Sequence, residues 1–250
     1  MSTKREEQQH KQFFCDMMHY REVAKEFLQC YLNEEIQVYV DWKSLVPHEK
    51  PLYSKETERY AHVLYRANTK DERSTLYFIL NHLYIPDPCL HLNALGYVLT
   101  FLEENMERNP AHIIQFTTYN GLAYPYPHPK TYYECFQSPE LARELHLHGP
   151  IIVDTPENPY PSSYPRTVFD YYEDRELATK VFFEAHRIID FRDYTDEVLL
   201  SHPHLSALSL AMKHVHDPAL SDWIKTNQKT VQKLKESQYA DQTWQYLLSS

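Results

Sequence analysis

From Thr75 to Asp87 the chain reads T-L-Y-F-I-L-N-H-L-Y-I-P-D; Leu76–Asn81 is almost without polarity, and Pro86 stops the run. A stretch this short, rich in aromatic and β-branched residues, predicts a strand covered on both faces rather than a buried helix. Such a strand belongs in a sheet with helices packed over it. Tyr60–Thr69 reads as its hairpin partner through the charged turn Lys70–Ser74. Upstream, Phe13, Phe14, Met17, Met18, Val23, Phe27 and Leu28 fall mostly at helical spacing. They predict one helix over His10–Leu32, or two with a break near His19–Arg21. Met1–Gln9 is charged and expected to fray. Glu35–Val40 reads as a short helix or strand, and Asp41–Leu52, with its prolines, as an irregular edge segment. Pro88 opens a helix reaching about Glu107, with Leu92, Leu95, Leu99 and Leu102 as its apolar face. Ala111–Thr118 predicts a further strand, closed by the turn Asn120-Gly121.

Past residue 122 the pattern repeats itself. Pro129-Lys130-Thr131 recurs as Pro165-Arg166-Thr167, Glu140-Leu141-Ala142 as Glu176-Leu177-Ala178, and Ile152-Val153-Asp154 as Ile188-Ile189-Asp190. Each copy, Pro125–Asp154 and Pro159–Asp190, reads as a proline-tyrosine loop, a short acidic helix and a short strand. Two copies are too few for a solenoid. From Tyr194 the chain turns helical: Thr195 caps Asp196–Ser201, and Pro203–His216 carries Leu205, Leu208, Ala211, Met212 and Val215. A last long helix starts at Pro218 or Ala219 and runs through Lys225–Lys235, its end packed by Trp244, Tyr246, Leu247 and Leu248. The expected organisation is an α/β core over 1–122, duplicated segments of the same domain over 123–192, and a helical C-terminal region over 193–250.

Charge narrows the partners. The formal net charge is −10. Residues 1–110 carry 13 basic against 17 acidic groups (net −4), 111–217 carry 8 against 15 (net −7), and 218–250 carry 4 against 3 (net +1). No basic footprint for nucleic acid stands out. Cys15, Cys30, Cys89 and Cys135 are scattered, and no secretory signal is evident, so a reducing cytoplasm is expected. No apolar run is long enough to span a bilayer. With three glycines, the chain offers no phosphate-cradling loop.

The order of elements resembles the Rpn group of recombination-promoting nucleases, also called YhgA-like putative transposases. His10–Leu32 is similar to that family's H-D-x-F-F opening and its E-V-A-x-x-F-L run. The likeness continues through His62–Tyr65, Leu80–Asp87, Tyr119–Gly121, Ser138–Arg143 and Ile189–His214. The resemblance implies a PD-(D/E)XK fold, a mixed central sheet flanked by helices, and Mg²⁺-dependent DNA cleavage. The positions that would carry that chemistry differ here. The opening acidic residue corresponds to Lys11 and the Asp of the next motif to His62. The central-strand Glu corresponds to Asn81 and the following Gln to Leu83. Mg²⁺ wants hard carboxylate oxygens to activate water. Asn81 supplies one neutral oxygen, His62 suits Zn²⁺ or Mn²⁺ better, and Leu83 supplies nothing. The expectation is therefore a site without metal or cofactor.

Other constellations are weaker. His62 and His82 form a candidate transition-metal pair, set against a reading in which they fill a vacated pocket. The pairs His146/His148, His202/His204 and His214/His216 share a face only on a strand. Among Glu56, Glu58, Asp71 and Glu72, Glu58 is the candidate for a migrated carboxylate, against a plain solvated face. Tyr126, Tyr132, Tyr133, Tyr160, Tyr164, Tyr171 and Tyr172 supply rigid amphipathic surface suited to a protein partner, or else pack loops onto the sheet. Two readings stand open: a pseudonuclease that binds another protein, and an active nuclease with an altered or migrated site, with Mg²⁺ and DNA as its ligands.

Overall fold

The computed structural model describes residues 2–48, 63–104, 110–128, 172–183 and 186–249. Among these residues, five strands form one mixed sheet in sequence order: β1 (Val46–Pro47), β2 (Val63–Asn68), β3 (Thr75–Leu83), β4 (His112–Tyr119) and β5 (His186–Asp190). β1, β2 and β3 pair antiparallel, with Tyr65 opposite Phe78; β3, β4 and β5 pair parallel, with Asn81 opposite Thr117. Parallel neighbours need crossovers. Helix α4 (Leu90–Glu104) lies between β3 and β4 in sequence, and α5 (Arg175–Phe183) precedes β5.

β3 is the middle strand, as its apolar run implies. Leu76, Phe78 and Leu80 join a core built with α1 (Ser2–Met18) and α2 (Arg21–Tyr31), while Ile79 packs with Tyr97, Val98 and Ile113 on the opposite face. Of the two alternatives, one helix or two, the chain takes the second, with the break at His19–Tyr20. The break frees the Met18 carbonyl, which accepts the buried Tyr65 hydroxyl at 2.9 Å. Arg21 closes the corner by donating to Leu45 O at 2.8 Å. A short α3 (Glu34–Gln37) follows, capped by the Asn33 side chain. At Gly121 an added Cβ would sit 1.8 Å from Tyr84 O, so the β4 exit leaves room for no side chain there.

The C-terminal part packs on the α1 side: α6 (Asp196–Leu200), α7 (Ser206–His214), α8 (Leu220–Thr226), α9 (Gln228–Glu236) and α10 (Ala240–Ser249). Thr195 caps α6 by accepting Val198 N–H, and Glu26 of α2 accepts the N–H groups of His204 and Leu205 at the entry to α7. Leu205, Leu208, Ala211, Met212, Leu234, Tyr246 and Leu247 share one apolar core with the sheet.

Three expectations change. Residues 2–9 continue α1 instead of fraying. The buried face of α4 is Leu90, His91, Ala94, Tyr97 and Val98, whereas Leu92 and Leu99 are 57% and 46% exposed. The helix is apolar on both stripes, and polar anchors select one: Gln115 donates to Ala94 O at 2.8 Å, and His91 bonds His186 at 2.9 Å. The long C-terminal helix is three helices, broken at Asn227 and Ser237. Asn227 turns its amide back to Trp223 O at 3.0 Å, and Ser237 adopts an extended backbone. Leu248 stays 79% exposed instead of packing the end. The second duplicated segment forms a helix and then a strand over Arg175–Asp190; the first, over Pro129–Asp154, lies outside the described residues.

Candidate site at the carboxyl end of the central strand

Successive strand residues point to opposite faces, so β3 delivers its last polar residues to two separate places. Asn81 faces α4. There it lines a small cavity with Asn93 and Tyr97 of α4, Gln115 of β4 and His186 of β5. Its carboxamide oxygen is buried with no hydrogen-bond partner. His186 is fixed by Thr117 Oγ1 at 2.9 Å and by His91 Nδ1, also at 2.9 Å. Burial, reinforced by His91, pushes the His186 pKa down to about 3, so the ring is neutral. Leu83 shares the face of Asn81 and packs against Leu90, Tyr119, Tyr126 and Ile188. No carboxylate lines this cavity among the described residues. Asp87, the next acid along the chain, accepts Cys89 N–H at 2.8 Å in the turn that leads into α4. Asp190, at the end of β5, is held by Arg192 through contacts of 2.8 and 2.9 Å.

His82 faces the other way. Its Nδ1 meets Thr118 Oγ1 at 3.1 Å, and its ring stacks on Phe14 of α1. It borders a buried hub centred on His10. The His10 ring stacks on Tyr84, lies edge-on to His216 at 4.8 Å, and bonds the Tyr246 hydroxyl at 2.6 Å. Asn120 donates to that same hydroxyl at 3.1 Å. Burial first, then the neighbouring His216, lowers the His10 pKa to about 4. Thus Asn81 and His82, neighbours at the strand end, serve opposite sides of the sheet. Lys11 belongs to α1 and is absent from the Asn81 cavity.

His62 and the candidate carboxylates Glu56 and Glu58 lie outside the described residues, as do His146 and His148. Asp71 and Glu72 sit in the β2–β3 turn, where Asp71 accepts Thr69 Oγ1 and pairs with Arg73. That turn is a strand length from Asn81, about 20 Å. Both remaining H-x-H pairs divide between partners: His202 contacts Cys30 and His204 Tyr239, while His214 bonds Asp196 and His216 meets His10. No group of three or more His, Cys, Asp or Glu could hold a metal among the described residues. The donor set around Asn81, neutral amides and a neutral imidazole, does not fit Mg²⁺.

Two of the seven tyrosines proposed for a partner surface are described, and both pack inward. Tyr126 is buried with its hydroxyl on Asp87 O, and half-buried Tyr172 stacks on His112. The other five lie outside the described residues. The His91–His186 and His10–Tyr246 contacts have no signal in sequence spacing, because their members are 95 and 236 residues apart.

A family model described as "Putative transposase, YhgA-like" matches residues 8–160 and 149–243. The "Recombination-promoting nuclease RpnA" of Escherichia coli (strain K12) is 22% identical over 158 residues, covering 62% of this chain and 54% of that protein. From the same organism, the "Inactive recombination-promoting nuclease-like protein RpnE" is 19% identical over 212 residues, covering 83% and 59%. RpnC, also named a recombination-promoting nuclease, is 23% identical over 141 residues, covering 55% and 47%. The chain thus spans about half the length of the curated relatives it matches. No solved structure matches it.

Proposed function

The chain belongs to the YhgA-like family of recombination-promoting nuclease relatives, and we propose that within it this protein is a pseudonuclease of the PD-(D/E)XK type. In this reading the nuclease scaffold is kept, cleavage is lost, and the protein acts by binding another protein. The observation that carries it is Asn81. The position the resemblance gives to a metal-binding Glu holds a buried carboxamide whose oxygen meets no donor, in a cavity with no carboxylate among the described residues. Leu83, at the position of the polarising Gln, sits in an apolar cluster. A neutral amide cannot offset a divalent cation's charge, and one oxygen cannot fix its coordination. The name "Inactive" on the relative that matches 83% of this chain supports the same direction.

No described helix is long and apolar enough to cross a membrane. Cytoplasmic residence fits the free thiols of Cys15, Cys30 and Cys89; burial raises the pKa of Cys15 and Cys30 to about 11, which keeps them inert. A partner surface would use the loop after β4, where Leu122 and Tyr124 are 72% and 53% exposed.

The test is plasmid cleavage by the purified chain with Mg²⁺ or Mn²⁺. The parent is expected to leave DNA intact. A His62→Asp, Asn81→Glu, Leu83→Gln variant is expected to lose stability without metal, because two close carboxylates repel, and to regain it with Mg²⁺. Cleavage by the parent that disappears in Glu58→Ala would overturn the proposal in favour of a migrated site. A variant whose melting ignores Mg²⁺ would show that these three positions do not converge.

A further inference from the structure

On α1, Arg5, Gln9, Gln12 and Asp16 follow one another at steps of four, three and four residues and so form one stripe along the helix. Arg5, Gln12 and Asp16 are exposed, and Gln9 is half-buried. The stripe is one wall of an open groove. Its other wall is α10, through Gln242 and Gln245, and its floor is the stacked pair Phe13 and Tyr246, with ring centres 3.9 Å apart. The charges along the groove are ordered. Arg5 marks one end and Asp16 the other, about 16 Å away along the axis, with neutral carboxamides between. Arg5 has no ion pair or hydrogen bond among the described residues, and Asp16 receives one from Gln12 at 2.7 Å.

Steps of four and three are the seam spacing of paired helices. Laid antiparallel on itself about a point midway between Gln9 and Gln12, the stripe is self-complementary. Arg5 meets Asp16 of the second copy, and Gln9 meets Gln12. The two-fold axis repeats both contacts, and no like charges face each other. A parallel pairing would set Arg5 on Arg5 and Asp16 on Asp16. Carboxamides carry both donors and acceptors, so the central glutamines can bond amide to amide. This is the form of an isologous interface. We propose that the α1–α10 groove is a homodimer interface, occupied by α1 of a second copy lying antiparallel. A seam this polar is weak and salt-sensitive, so association belongs in the micromolar range.

Sedimentation velocity on the full chain, across micromolar concentrations at low and high salt, tests this. The parent is expected to show a concentration-dependent dimer that loosens with salt. Arg5→Asp alone and Asp16→Arg alone each place like charges across the seam and are expected to weaken the dimer by about tenfold or more. The combined Arg5→Asp/Asp16→Arg variant reverses the polarity and is expected to restore it. Both positions are exposed, so circular dichroism and melting should match the parent in all three variants, separating interface loss from unfolding. A parent that stays monomeric, a dimer indifferent to the single substitutions, or a double variant that fails to recover would each overturn the proposal.

Discussion

His112 is 2% exposed, and its Nε2 is buried without a partner. Its ring lies flat on Tyr172, centres 4.8 Å apart. Burial holds its pKa down to about 4, with Asp174 pulling weakly the other way. Because the folded value lies below that of the unfolded chain, the unfolded state takes up protons first as the pH falls. The stability is therefore full above about 6.5 and is lost progressively toward about 4. His10 and His186 act with the same sign, so their losses add to the acid side. A His112→Phe variant keeps the stack and removes the charge. Urea melts at about pH 7.5 and pH 5 are expected to show the variant losing about 2 kcal/mol less than the parent between the two. Equal losses would place the titration elsewhere. The orphaned oxygen of Asn81 belongs to this same scale: burial has a cost wherever a polar group lacks a partner.

Helix α4 shows how an element with two apolar stripes is oriented. Leu92 and Leu99 point to solvent, while Tyr97 and Val98 meet Ile79 and Ile113. The choice rests on the His91 and Ala94 contacts to β5 and β4, which only the α4-to-sheet docking brings together. Substituting Leu92→Gln or Leu99→Gln is expected to change stability by less than about 0.5 kcal/mol. Val98→Ala, which opens a space against the sheet, is expected to cost about 2 kcal/mol. Thermal melts would distinguish the two stripes, and the reverse order would rotate the helix back to the leucine face. The C-terminal region makes a similar point. Helical periodicity runs on through Asn227, but the backbone leaves the helical region there, with φ −103° and ψ 43°, while both the Asn227 N–H and its side-chain amide close on the Trp223 carbonyl.

Among the described residues, the largest apolar cluster joins α1 and α2, the sheet and the C-terminal helices. Tyr246 is its polar rivet. It stacks on Phe13, and its hydroxyl holds both His10 of α1 and Asn120 at the end of β4. Tyr246→Phe retains the stack and strands two buried polar groups. It is expected to cost about 1–3 kcal/mol. Far-UV melting should shift as one transition, since the C-terminal helices share the core. A separate early transition for those helices would mean that they fold independently.

The central strand and the α7 core positions are legible in the apolar pattern, which leaves open whether His10–Leu32 is one helix or two. A strand buried on both faces must be apolar throughout, and an amphipathic helix must repeat its apolar residues near every 3.6 positions, so both leave a compositional trace. The sequence also carried the family, because collinear short motifs survive where single site residues have changed. Tertiary structure alone decided which stripe of α4 is buried, where the C-terminal helices break, and what each face of β3 meets. Alternation along a strand fixes that Asn81 and His82 diverge; the packing of α4 on one side and α1 on the other decides that one enters a cavity and the other a histidine hub. Contacts such as His10 with Tyr246, 236 residues apart, depend on how whole elements dock, and no local pattern in the chain encodes that docking.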